Sequence, residues 1–446
     1  MGAVMVPRSA YYGSQTQRAV DNFFHSGLKP PLAWIHALAL IKYYAARVNQ
    51  KLGLLTPELG EAVVAAANEV AQGRWDDQFV VDLFQTGSGT STNMNMNEVV
   101  ASRANEILTG RKGGRSPVHP NDHVNMGQSS NDLMPTALHV AAARALVTDL
   151  QPALSLLQEH LNEKAARFRH IRKIGRTHLQ DAVPMSLGDS FSGFARQIEL
   201  ALERLAAAMP RLTELALGGT AVGTGINTHA DFAAEVISGL AKLTGIAFRE
   251  AVNHFEAQAA QDAVVETSGA LKVIAVSLVK ISNDIRWLGS GPRCGIGELK
   301  LPALQPGSSI MPGKVNPVIP EAVIQIAYQV MANDAAITLA GQSGVFELNV
   351  TLPLLAHNIL QSIHLLSGAA RMLADKCLKE LDADESRCEA YIEQSLALVT
   401  ALVPRIGYDR AAGLAKKAYE TGQTIRQVAR EAGVIPEDEL DELLGR

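Results

Sequence analysis

The feature that most constrains this chain is an apolar stripe running from about Leu133 to Phe168. Leu138, Ala142, Leu146, Leu150, Leu154, Leu157, Leu161, Ala165 and Phe168 recur at helical spacing. At 1.5 Å per residue a helix of that length spans roughly 50 Å, more than one compact domain covers alone. Further helical patterns span about Leu32 to Leu52, Pro57 to Gln72, Asn95 to Leu108, Pro184 to Glu214, Ala230 to Leu243, Glu256 to Leu288, Pro317 to Ala340 and Leu352 to Leu378. Thr56 and Pro57 suit an N-cap and first helical position. Aromatic residues make up only 5% of the chain while apolar residues reach 47%, so the core is built on small and aliphatic side chains that let helices pack closely. The expectation is an all-α, mainly helical protein whose elongated central bundle associates with copies of itself.

One segment breaks this pattern. From Gly289 to Pro317, eleven of twenty-nine residues are Gly or Pro, which excludes a through-running helix or central strand. Ile310, Met311 and Val315 are apolar side chains that a solvated tether does not need, so the segment reads as a lid or binding loop. Ser308, Ser309, Lys314 and Asn316 with the flanking glycines suit an anion. A phosphate-binding P-loop is excluded by spacing, because the glycines before Lys314 stand one residue too far apart and Val315 replaces the metal-binding hydroxyl. Carboxylate recognition survives.

Gly307-Ser308-Ser309-Ile310-Met311-Pro312-Gly313-Lys314-Val315-Asn316-Pro317 resembles the signature loop of the fumarase/aspartase superfamily, and the chain is most similar to its class II fumarases over nearly its whole length. The patterns divide the chain into three parts: a mostly helical N-terminal domain over 1–128, a central long-helix bundle over 129–385, which by the resemblance carries the catalytic loop 302–317, and a small helical C-terminal domain over 386–446, where Pro404, Gly422, Gly433 and Pro436 punctuate short helices. The resemblance also implies a homotetramer with active sites shared between subunits, a small dicarboxylate substrate and no cofactor.

Other segments carry the remaining candidates. Thr86 to Asn93, with two glycines and several hydroxyls, is by itself equally a polar helix cap and an anion-friendly loop. Gln128 to Asp132 offers polar caps before the longest pattern. Read alone, His178 in Gly175-Arg176-Thr177-His178-Leu179-Gln180 is more often a hydrogen-bonded structural histidine than a catalytic one. The resemblance makes Ser308 the catalytic base and His178, paired with Glu321, the group that handles water. It assigns Ser88, Thr90, Ser129, Ser130, Asn131, Thr177, Ser309, Lys314 and Asn316 to binding the substrate carboxylates. His119, Asn121 and Asp122 match a second dicarboxylate site of some members, although Ser116 beside Arg115 stands where certain relatives carry a basic residue.

Within the superfamily the rival is aspartate ammonia-lyase. His178, Ser130 and Gly313 favour the hydratase; Val318-Ile319-Pro320 looks more like the aspartase form of the loop exit. A silent helical scaffold is a third reading, disfavoured because Ser308, Lys314 and His178 are all present.

Several classes fall away. A net charge of −5 from 40 basic and 45 acidic residues leaves no basic stripe for nucleic acid. Three cysteines without a C-x-x-C pair suggest neither a disulfide framework nor a thiolate metal site and fit a reduced cytoplasm. His119 and His123 are four apart, but Pro120 between them argues against a shared helix face, and no metal is expected. Gly218 to Gly225 is not a dinucleotide fingerprint, since no strand pattern precedes it.

Overall fold

The computed structural model describes residues 2–445. Its contacts divide the chain into two compact units, one of residues 1–152, 201–276 and 326–368, the other of residues 153–200, 277–325 and 369–446. The chain passes between them inside helices.

In the first unit, α1 (Ser14–Asn22), α2 (Leu32–Lys51), α3 (Pro57–Ala71) and α4 (Thr90–Thr109) precede α5 (Ser130–Ala145). Trp34, Ile35, Leu38 and Ile41 of α2 are buried with Val63, Ala66 and Val70 of α3, Met96 and Val99 of α4, and Leu133, Met134 and Leu138 of α5. Each of the Val, Leu, Ile and Met side chains among them contributes about 1.5–3 kcal/mol on burial. The Trp34 indole donates to the Met134 carbonyl at 3.2 Å, so its polar edge is satisfied inside that core.

α5 continues through a π-helical turn at Leu146–Leu150 into α6 (Gln151–Arg167), so the long apolar stripe does form one helical run. That run, Ser130–Arg167, is long and apolar enough to cross a membrane by length and composition, but only as a protein core helix would be: 50% of its most apolar stretch is buried.

The run between Pro184 and Glu214 departs from expectation. Arg172–Thr177 (β1) and Gln180–Ser186 (β2) pair antiparallel, and α7 starts only at Leu187, ending at Leu212. Pro184 and Met185 are apolar positions that blend into the helical pattern in one dimension, yet they are held by cross-strand pairing to Ile174 and Lys173. In this second unit Phe168, Phe191 and Phe194 stack edge-on, with centroids 5.3 and 5.6 Å apart.

Beyond α7 lie β3 (Glu214–Leu215), α8 (Phe232–Thr244), β4 (Arg249–Glu250), α9 (His254–Ala259) and α10 (Asp262–Leu288). The expected helix from Glu256 is therefore two helices, broken where Ala260 turns extended. β5 (Leu299–Lys300) follows, then α11 (Val318–Gly341), the β6–β7 ribbon (Gly344–Val345 and Leu348–Asn349) and α12 (Leu352–Met372), which runs through a π-helical stretch to Leu378. β8 (Asp382–Ala383) pairs with β5. The C-terminal helices α13 (Glu385–Gln394), α14 (Val403–Ile406), α15 (Tyr408–Thr421), α16 (Ile425–Ala432) and α17 (Glu437–Leu444) bury Leu398, Leu402, Val428 and Leu440 in a core of their own.

Candidate active site

The candidate residues fall into two groups, one in each unit. In the first unit they sit at helix starts. Gly89 adopts φ +75° and turns the chain into α4, so the helix begins at Thr90, earlier than the apolar pattern indicates. The Ser88 and Thr90 hydroxyls lie 2.8 Å apart and share a hydrogen bond. Gly87 is pressed against the backbone after β7: a Cβ there would stand 1.7 Å from the Val350 carbonyl oxygen, and Leu352 N–H donates to the Gly87 carbonyl at 2.9 Å.

Ser129 caps α5 in a reciprocal box with Asp132: the Asn131 N–H donates to the Ser129 hydroxyl at 3.2 Å, and the Ser129 N–H donates to Asp132 at 2.9 Å. Asp132 is fully buried, and its other oxygen accepts from the Gly218 and Thr220 N–H groups at 3.0 Å each. Burial pushes its carboxyl above the usual carboxylate range, and these backbone donors oppose the shift. The Ser130 hydroxyl accepts from Asn93 at 2.9 Å, and the Asn131 amide donates to the Ala221 carbonyl at 2.7 Å. The glycine-rich segment from Gly218 thus serves to hold the start of α5.

His119, Asn121 and Asp122 are in this unit too, around a π-helical turn at Pro120–Val124. The His119 Nδ1 accepts from the Asn121 and Asp122 N–H groups, while the His123 Nδ1 accepts from the His119 N–H at 2.9 Å. Both Nδ1 atoms are committed to backbone donors. Among the described residues no group of three or more His, Cys, Asp or Glu comes together as a metal site.

In the second unit, Thr177 ends β1 and pairs with Gln180, leaving His178 and Leu179 as a two-residue turn. Both have positive φ, 55° and 60°. Turns of this kind favour Asn-Gly, and a bulky residue held there costs about 1–3 kcal/mol. The strain presents His178 and Leu179 outward, with Leu179 67% exposed. Below the tip, Glu298 is fully buried and meets Arg176 at 2.8 Å and Lys173 at 3.3 Å. Burial pulls the Lys173 amine below the ordinary lysine value, and Glu298 counters it. This cluster ties the hairpin to the segment that leads into the serine loop.

The loop itself folds back on its own backbone. Gly307 N–H donates to the Lys314 carbonyl at 2.8 Å and the Asn316 amide to the Gly307 carbonyl at 2.8 Å. A Cβ on Gly307 would meet the Lys314 oxygen at 2.5 Å. Inside this closure the Ser308 hydroxyl oxygen accepts from the Ile310 and Met311 N–H groups at 3.2 and 3.1 Å. Ser309 and Lys314 are exposed, and Glu321 is half-buried at the start of α11. A cavity of about 870 Å³ reaches Lys314 and Asn316 and is lined also by Arg286, Arg293, Lys300 and Arg387. It stops short of Ser308 and His178. Within the single chain, the His178 ring and the Glu321 carboxylate make no hydrogen bond to each other among the described residues.

Sequence inspection overlooked the buried groups behind these residues. Lys42 carried a signal: it is the one charge among Leu38, Ile41, Ala45 and Val48 on the apolar face of α2.

Sequence and fold are shared with proteins of known family. A lyase family model matches residues 2–332 and a fumarase C C-terminus model residues 398–445. The class II fumarate hydratase of Thermosynechococcus vestitus is 54% identical over 441 residues, covering 99% of this chain and 94% of its own. That of Nitrosomonas europaea is 53% identical over 441 residues, covering 99% and 96%. Among solved structures, the class II fumarase of Schistosoma mansoni superposes with a TM-score of 0.96 at 41% identity, covering 99% of this chain and 95% of that one. A fumarate lyase:delta crystallin of Brucella melitensis bound to cobalt gives 0.94 at 46% identity, covering 98% and 95%. With identity above half across nearly the full length and a helical fold of the same form, the chain belongs to the class II fumarate hydratase family of lyases.

Proposed function

We propose that the protein catalyses the reversible hydration of fumarate to (S)-malate, by anti addition of water through an aci-carboxylate intermediate. In the dehydration direction a proton leaves the carbon beside one carboxylate and the hydroxyl leaves its neighbour as water. The intermediate carries extra negative charge on that carboxylate, so fixed positive partial charge around it lowers the barrier. The observation that carries the reading is the Ser308 hydroxyl seated on two backbone N–H groups. A serine ionises too high to act as a base in water, and donors aimed at its oxygen stabilise the alkoxide.

In this reading Ser308 removes the carbon-bound proton, and His178 delivers or accepts the proton of the water, with Glu321 orienting its ring and raising its basicity. Ser88, Thr90, Ser129, Ser130, Asn131, Thr177, Ser309, Lys314 and Asn316 hold the two carboxylates. The outward presentation of His178 and the exposure of Lys314 support a site completed by other copies of the chain, a homotetramer. Val276 of α10 and Tyr328 and Leu339 of α11 support self-association, being 53%, 56% and 62% exposed along long helices. The three-part organisation at 128 and 385 is supported at its C-terminal end by the separate core of α13–α17. The second dicarboxylate site at His119, Asn121 and Asp122 and a cytoplasmic location complete the proposal.

Aspartate ammonia-lyase is the alternative that the loop exit at Val318–Pro320 keeps in view. Purified protein offered malate and aspartate separately, with fumarate absorbance followed, decides between them. Fumarate from malate is the expected result; fumarate from aspartate alone would overturn the assignment.

A further inference from the structure

Behind Ser130 lies a buried polar chain that neither the proton transfers nor the carboxylate contacts account for. Lys42 is fully buried, and its ammonium donates to the Asn125 side-chain oxygen at 2.9 Å. The other end of that amide, Asn125 Nδ2, donates to the Gln128 backbone carbonyl at 3.1 Å. An ammonium only donates and a carbonyl only accepts. Both neighbours therefore impose the same orientation on Asn125, with its oxygen turned toward Lys42.

That oxygen has further partners. Asn93 Nδ2 reaches it at 3.2 Å and Asn97 Nδ2 at 3.3 Å. Since Asn125 presents an acceptor, Asn93 must present its NH2, and the second proton of that NH2 points at the Ser130 hydroxyl oxygen, 2.9 Å away. Flipping Asn93 would face its carbonyl oxygen against the Asn125 oxygen. The polarity of the whole chain is thus fixed from its buried end, and Ser130 is obliged to accept there. Its own proton is left to donate elsewhere, which is what a hydroxyl needs in order to bind a carboxylate.

We propose that Asn93 is a positioning residue of the dicarboxylate site: oriented by Asn125 and Lys42, it makes the Ser130 hydroxyl a donor toward substrate. The inference rests on Ser130 being a carboxylate ligand. Burial draws the Lys42 amine well below the ordinary lysine value, with Asp132 opposing, which fits an end group desolvated for an internal role. The Gln128 carbonyl keeps Asn125 in place in either protonation state.

Two variants probe the chain. Asn93→Asp puts an acceptor where the donor was, so the Ser130 proton turns inward; Asn93→Ala removes the constraint without adding charge and covers the case in which the first variant fails to fold. Steady-state kinetics with malate and fumarate should show KM raised about tenfold for Asn93→Asp, the worth of one hydrogen bond to a charged group, less for Asn93→Ala, with kcat changed far less. Ser130→Ala should raise KM to a similar extent, and adding either Asn93 change to it should raise KM no further, because the two act as one unit. A KM increase that persists in the Ser130→Ala background, or Asn93 variants that lower thermal stability and leave KM alone, would overturn the positioning role. If Ser130→Ala itself leaves KM unchanged, Ser130 is not a carboxylate ligand, and the inference falls with that assignment rather than on its own account.

Discussion

The helix starts at Thr90 and Ser130 and the loop from Gly307 to Asn316 are assigned to the same ligand and are built in opposite ways. At the helix starts the side chains of Ser88, Ser129, Ser130 and Asn131 are each hydrogen-bonded, and behind them Asp132, Asn93 and Lys42 are buried. The loop is held by hydrogen bonds within itself, and Ile310, Met311 and Val315 are 83%, 48% and 46% exposed. Few apolar contacts and self-contained bonds mark a segment that opens at low free energy. The difference teaches that, under the proposed assignment, the ligand groups are of two kinds: those at the helix starts are fixed by buried partners, and those of the loop, Ser308 among them, are free to move.

That contrast predicts separable effects. Ser308→Ala should lower malate turnover by about 10³-fold, within the range of acid–base catalysis, and abolish proton exchange at the malate carbon, while the urea midpoint stays put. Retained exchange would mean another base. Asp132→Asn should do the reverse. It leaves one acceptor for three buried N–H donors, so equilibrium unfolding should show a loss of about 3 kcal/mol, with activity of the folded fraction reduced less than tenfold. Equal stability would break the picture of rigid helix starts. His178→Asn should slow turnover by about 10²-fold with little change in stability, because the turn conformation suits Asn at least as well as His. Unchanged malate dehydration would remove its role in handling water. The smallest effect is expected from EDTA: with both Nδ1 atoms of His119 and His123 occupied by backbone donors, chelation should leave the rate as it was, and inactivation would reopen the question of a metal there.

Much of the frame was legible because Pro and Gly mark its ends. The helix at Pro57 begins where Thr56 and Pro57 mark it and the one at Leu32 where its apolar pattern starts, and the loop after Gly289 is where glycine and proline accumulate. Thr56 stands at its N-cap position but makes no side-chain capping bond. The β1–β2 hairpin was not legible. His178-Leu179 lacks the glycine or asparagine that signals a tight turn, and a strand pair is a contact between positions that local periodicity does not register. α1 was hidden for another reason. Ser14 to Arg18 is polar enough to read as a turn, and its helix is held by Glu98, which accepts from the backbone N–H groups of Gly13, Gln15 and Thr16. The site's residue types came through the family motif; its supporting shell of Asn93, Asn125 and Lys42 required coordinates, since hydrogen-bond polarity has no one-dimensional trace.

The packing of Gly87 against the chain after β7 has a consequence for how variants of this enzyme should be interpreted. No side chain larger than hydrogen fits there without moving main chain, and the neighbouring Ser88 would move with it. A substitution at a residue bearing no functional group should therefore mimic an active-site lesion. In a survey of inactivating changes, position 87 would be scored among the chemical residues although it has no side chain with which to do chemistry.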